Sequence, residues 1–283
     1  MSNYASNAID LSRLPAPKFT EALSFEGIYA QMLARLIDLH PDFDTSESSI
    51  GVKILQVSAY FRLLDRQQLN DDAKSVMVAY ATGAALDHLG ALLRVKRLPD
   101  EKDDPYRERI VLAPDAYSVA GPVEAYIYHA RSVSADIRDV SIDSPEPCEI
   151  VITVLGWGTD GAVSEEILDQ VTDAVSADRV RPLTDLVSVQ PATIIEYQIV
   201  AEIETYRGPD ETVVITAART RLETYVENEI RLGREITRNG ITSALRAEGV
   251  HNVTLTQPAA DIPAGPYEAC VCTDIALTHA GVI

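Results

Sequence analysis

Residues 50–95 read IGVKILQVSAYFRLLDRQQLNDDAKSVMVAYATGAALDHLGALLRV. Ile50, Ile54, Val57, Phe61 and Leu64 recur three and four residues apart. After a polar phase at Asp65 to Gln68 the spacing resumes at Leu69, Ala73, Val76 and Tyr80. That is the period of one face of an α-helix, without Pro and with a single early Gly. A continuous helix to Tyr80 would be about 45 Å long at roughly 1.5 Å per residue, well beyond the average globular helix. A helix of that length serves as a strut or as a partner in a bundle. Ala79, Ala81, Gly83, Ala84 and Ala85 then form a small-residue turn, and Leu86, Leu89 and Leu93 open a new helical face. Arg62, Asp65 and Arg66 interrupt the apolar stripe midway, as a polar collar between two contact patches or as plain solvent exposure.

Upstream, Ser24 is placed to cap a helix whose stripe is Ile28, Met32, Leu36 and Leu39, and His40-Pro41 ends it. The acidic linker from Asp42 to Ser49 is short, so this helix and the long one should pair antiparallel. Residues 1–19, with Pro15 and Pro17 among polar side chains, read as an extended arm. Downstream, LPDEKDDP at 98–105 and DAYSVAGP at 115–122 are solvated breaks around a helix at Tyr106 to Leu112. Val123 to Ser132 forms a further helix.

The rest alternates between β-rich and helical runs. Strands are expected at Val140 to Ile142, Glu149 to Leu155 and Leu186 to Val189, with a helix capped by Ser164 before the last of them. A second series begins with a long strand at Thr193 to Glu204 and a helix at Glu211 to Glu229. A short helix at Ile241 to Leu245 and strands at Val250 to Leu255 and Ala269 to Leu277 complete it. Both series place a helix before [IV]-x-x-V-x-[IL] (Ile137 to Ile142 and Val250 to Leu255), a Pro loop and a strand. The fold class is therefore α+β. A helical N-terminal region with one very long helix precedes two small α/β units with short mixed or antiparallel sheets. The expected divisions are an arm at 1–19, a helical bundle region at 20–97, a hinge and linker helix at 98–122, and α/β domains at 123–192 and 193–283.

Composition narrows the function. Forty-three acidic against 24 basic side chains give a net charge of −19, which argues against DNA or RNA as a partner. No apolar run is long enough to span a bilayer, and the start MSNYASNAID lacks the basic and apolar parts of a secretion signal. Cys148, Cys270 and Cys272 are too few and too scattered for a disulfide framework, and read as small hydrophobes in a reducing compartment.

Catalytic patterns are missing. GWGTDG at 156–161 lacks the G-x-G-x-x-G spacing and has no Lys-Ser/Thr, so it reads as a surface turn. The five His show no metal-ligand spacing, and no Ser sits in a G-x-S-x-G elbow. The paired acids Asp71-Asp72, Asp103-Asp104 and Glu165-Glu166 point in different directions on their helices. Trp157, the one Trp, is either a contact anchor or local packing.

The stretch NDDAKSVMVAYATGAALDHLGALLRVKR resembles the signature of the baseplate J-like proteins of contractile phage tails. PAPKFTEALSFEGIYAQML, DDPYRERIVLAPDAYSVAGPVEAYIYHA, VRPLTDLVSVQPA, IEYQIVAEIETYRGPD and RLGREITRNGITSALRAEGVHNVTLTQPAAD match the family's usual run in the same order, from about Pro15 to Ala280. The resemblance implies a structural wedge component of the baseplate of a contractile tail or related injection particle, assembled in the host bacterial cytoplasm. It implies no catalysis and no cofactor. The implied partners are the subunit itself, with two copies in each wedge and twelve in a baseplate, a smaller wedge protein, a tail fibre attachment protein, the central hub and the adjacent wedges. In relatives the C-terminal part contacts the next wedge, which points to the Pro/Gly loop Gln257 to Pro266 as a docking element tolerant of deletion. The candidate interface residues are Ile50, Ile54, Val57, Phe61, Leu64, Val76, Tyr80, Trp157 and Tyr267. The competing reading is an enzyme or carbohydrate-active module at the particle surface, which needs clustered acids or aromatics on one concave face.

Overall fold

The computed structural model describes Leu11, Leu14 and residues 23–118, 121–158, 160–208 and 210–282. The arm expected over residues 1–19 lies outside the described residues except for Leu11 and Leu14. The chain divides into two compact units, one within residues 9–97 and one within residues 98–283.

In the first unit, α1 (Phe25–Leu39) begins where the Ser24 hydroxyl accepts the Gly27 amide at 3.1 Å and stops at His40. The linker to α2 is shaped by Asp44, whose carboxylate accepts the Ser46 amide at 2.9 Å. Those bonds from Ser46 hold the Asp44 carboxyl below its usual range. The one early Gly of α2 has a steric reason. A Cβ on Gly51 would run into the Phe43 ring at 2.6 Å, so glycine lets that ring lie on the first turn. The helix α2 (Ile50–Ser75) has 26 residues, about 39 Å at roughly 1.5 Å per residue.

The long helix is therefore real but shorter than its apolar spacing predicts. Asp71 and Asp72 place negative charge near the end of the helix dipole that disfavours it, and Val76 and Val78 add β-branched residues of low helix propensity. The Ser75 hydroxyl bonds the Asp72 carbonyl at 2.7 Å, and the chain turns through Met77 to Ala81. Val76 and Tyr80 consequently lie beyond the helix. After the turn, α3 (Gly83–Leu92) buries Leu86 and Gly90, and Arg97 pairs with Asp87 at 2.7 Å. Few side chains in this unit are fully buried. Among the described residues they are Ile28, Val52, Ala59, Ala81, Leu86 and Val95.

The second unit opens with α4 (Asp103–Leu112), a 3-10 turn at Asp115–Tyr117 and α5 (Val123–Arg131). Glu101, which a solvated break would leave in water, is buried here together with Arg109 of α4. Glu101 accepts from Arg109 through two bonds of 2.7 Å, and the Leu98 amide donates to Glu101 at 2.9 Å. The third nitrogen of the Arg109 guanidinium donates to Ser132 at 3.1 Å, which ties α4 to the end of α5. Residues 98–105 are polar in sequence because they feed this pair as well as the surface.

Two three-stranded sheets follow. In the first, β2 (Glu149–Gly156) lies between β1 (Ile137–Asp143), antiparallel to it, and β3 (Leu186–Pro191), parallel to it and reached through α6 (Glu165–Ser176). The core of this sheet collects Val140, Ile142, Ile152 and Val154 with Tyr126 and Ala130 of α5 and Val171 and Val175 of α6. In the second sheet, β4 (Thr193–Thr205) lies between β5 (Val250–Gln257), antiparallel, and β6 (Glu268–Val282), parallel. Tyr197, Ile199, Ala201 and Ile203 of β4 alternate onto α7 (Glu211–Glu229) and α8 (Arg238–Leu245). The two sheets share a spatial plan, a central strand with one antiparallel and one parallel neighbour. Their chain order differs: β1 and β2 pair directly, whereas β4 separates β5 from β6.

The loop at 257–266 is not the tolerant tip expected from its composition. Ile236 and Ile262 exchange backbone hydrogen bonds of 2.9 Å in both directions, and Ile262 packs on the second core. Asp261 accepts the Arg238 amide at 2.7 Å at the start of α8, and Arg238 also donates to the Leu255 carbonyl at 2.9 Å. Deleting Ala259 to Gly265 would remove a helix-start contact and a core side chain, so the subunit would be damaged by it.

Candidate functional site

Helix α2 has two apolar faces, and the structure uses one. Val52 and Ala59, with the half-buried Leu55 and Leu63, form the face toward the interior, and α2 packs on α1. Ile50, Ile54, Val57, Phe61 and Leu64 form the other face and are all exposed, Ile50 at 76% and Phe61 at 59%. Tyr60 joins them, edge-on to Phe61 with ring centroids 5.8 Å apart. Five large apolar side chains over about four turns of one helix form an apolar stripe of the kind that marks a contact surface. Arg62 and Asp65 lie on the solvent side, whereas Arg66 is partly buried.

The remaining candidates do not extend this surface. Val76 is exposed and Tyr80 half-buried, both in the turn after the helix. Trp157 is 42% exposed and has an internal partner: the Arg138 guanidinium lies 4.6 Å from its ring centroid. Its loop closes through a 3.0 Å bond from the Gly156 amide to the Gly161 carbonyl. Gly161 has a φ of +63°, and a Cβ there would strike Ile194 and Leu155, so the turn requires glycine. The Tyr267 hydroxyl donates to Asp143, which pushes the phenol up from its ordinary value. Trp157 thus packs on a residue of its own sheet unit, whereas Tyr267 reaches the first sheet from the second.

A charged group that sequence spacing could not reveal gathers around Glu108 and Asp139. Glu108 accepts from Arg131 at 2.7 Å and from Arg231 at 3.1 Å. Burial opposes ionisation of Glu108, but the two arginines outweigh it and hold its carboxyl below the usual range. Asp139 accepts the Leu232 and Val140 amides at 3.0 Å each. Burial of its carboxylate pushes it up despite those bonds and the same two arginines. These residues come from α4, α5, β1 and the segment after α7, more than a hundred positions apart at the extremes. In sequence Arg138 and Asp139 stand just before the strand expected at Val140 to Ile142, and β1 reaches back to Ile137 to include them.

Among the described residues no group of three or more His, Cys, Asp or Glu could hold a metal ion, and no helix is long and apolar enough to cross a membrane. Two surface depressions among the described residues are shallow. One lies along Thr212, Thr216 and Thr220 of α7, and the other lies on β4 and the Gln257 to Ala259 turn.

Three family models match in chain order. The Baseplate J-like N-terminal domain matches residues 47–103, the Baseplate J-like central domain residues 118–191, and the Baseplate J-like protein C-terminal domain residues 197–278. The chain belongs to the baseplate J-like family. It is also similar to Baseplate protein J of Escherichia phage P2, at 40% identity across 96% of this chain and 98% of that protein. The first match includes all of α2 and α3, so the exposed stripe lies within a domain of the family. The protein is a structural component of a contractile-tail baseplate wedge.

Proposed function

We propose that the exposed face of α2 is the surface through which this baseplate J-like subunit builds the wedge, against a second copy and a smaller wedge protein. The observation that carries this is the fully formed stripe Ile50, Ile54, Val57, Phe61 and Leu64, turned away from α1 on a unit with few buried side chains. Magnitudes favour a bundle over a simple pair. Burying each of these partly exposed side chains contributes on the order of 1–2 kcal/mol, so the stripe supplies about 5–10 kcal/mol. Association costs about 4–15 kcal/mol in lost freedom. One stripe on one partner is near break-even, and contributions from several helices are needed. The C-terminal unit then joins neighbouring wedges through the exposed Ala259, Ala260 and Pro263, which the ordered loop presents without further loss of freedom. The hub and the fibre attachment protein are contacted by other surfaces, and the role is mechanical rather than catalytic.

Crosslinking mass spectrometry on purified particles tests the α2 reading. Lys53 and Lys74 both lie on this helix. They should crosslink to another wedge component or to a second copy. Links confined to the same chain would refute it.

A further inference from the structure

The central and C-terminal sheet units are held together by contacts that complete each other. Helix α7 ends without a basic residue in its last turn, so its final carbonyls lack the cation that commonly satisfies a helix end. Arg138, from β1 of the other unit, supplies it. Its Nε donates to the Ile230 carbonyl at 2.8 Å, and its Nη2 donates to the Glu227 carbonyl. Its Nη1 meets the Glu227 carboxylate at 2.9 Å, while Trp157 covers the guanidinium face. The next residue, Asp139, receives the Leu232 amide, and Glu108 holds Arg231 against Arg131. At the far end of β1, Asp143 receives the Tyr267 hydroxyl from the residue just before the second sheet's β6. The covalent connection is equally tight. Ala192 alone separates β3 from β4, and its amide donates to Val154 at 3.0 Å while the Thr193 amide donates to Tyr267 at 2.8 Å.

We infer that these two units act as one rigid arm, latched by Arg138 at the end of α7. Contacts at both ends of β1 and a one-residue connection leave no axis about which one sheet can turn on the other. Any rearrangement of the subunit is thereby carried by segments outside residues 123–282.

Native-state hydrogen exchange on the full chain in increasing denaturant tests this. In the unmodified protein, core amides of β2 and of β4 should exchange through one shared opening. Arg138→Ala should split them into two openings at different denaturant concentrations and lower protection of residues 226–232 at least tenfold. Arg138→Lys keeps the charge but loses the planar fork, and should give a smaller split in a protein that folds normally by circular dichroism. Two separate openings in the unmodified protein would overturn the inference. So would a shared opening that persists in either variant.

Discussion

Arg109→Met is the sharpest test of how the second compact unit is held. The Arg109 and Glu101 side chains are 3% and 2% exposed and meet in a two-bond fork. Methionine fills much the same stem volume but leaves the Glu101 carboxylate buried, with the Leu98 amide as a remaining donor. Removing one partner of such a pair costs about 3–5 kcal/mol, chiefly the cost of an uncompensated buried charge. Against a typical total stability of about 5–15 kcal/mol this is a large loss. With a urea slope of about 2 kcal/mol/M the unfolding midpoint should fall by about 2 M. Replacing both residues, Glu101→Leu with Arg109→Met, should recover most of the loss, since a well-packed apolar pair is often as stable as the ion pair. Urea unfolding followed by circular dichroism on the three proteins gives the result. If Arg109→Met shifts the midpoint by less than about 0.5 M, or if the double variant is the less stable of the two, the pair is not buried as described.

On α2, Ile54→Glu and Phe61→Glu should leave the isolated subunit within about 0.5 kcal/mol of the unmodified protein by thermal unfolding, because both positions are exposed. The same variants should abolish wedge formation with co-expressed baseplate components, read by sedimentation. At Gly240 a Cβ would overlap the Tyr225 hydroxyl and crowd its ring, so Gly240→Ala should destabilise by about 1–3 kcal/mol in chemical unfolding, and Tyr225→Phe in the same chain should return part of it. Glu108 is held below the ordinary carboxyl value of 4.5 by Arg131 and Arg231. Its contribution is therefore present above that value and lost as pH falls through the lower value of the folded state. Stability measured between pH 5 and pH 3 should fall less steeply in Glu108→Gln than in the unmodified protein.

Much of the secondary structure was legible because local periodicity dictates it. Glu211 to Glu229 is helical in sequence and in structure, since Asp210 caps it and Val214, Ala218, Leu222 and Val226 recur at the spacing its core contacts need. The strands at Glu149, Leu186, Thr193 and Val250 begin where their β-branched runs begin. The family was legible too, because its runs survive as contiguous segments. The end of α2 was not, for the apolar rhythm continues past Ser75 while propensity and charge stop the helix. Nor did sequence reveal that Ile50, Ile54 and Phe61 face away from α1. A helix with two apolar faces has no local signal for which face its own chain will cover, and that depends on where α1 packs. The roles of Arg109, Arg138 and Ile262 depended wholly on tertiary structure. In sequence they read as a polar residue of a short helix, a residue just ahead of a short strand and a residue of a Pro loop, and each becomes structural only when a partner from elsewhere in the chain supplies the carboxylate, the helix end or the core it meets. Local physics chooses helix or strand from neighbours a few residues apart, whereas burial and charge pairing depend on residues that only the folded chain brings together.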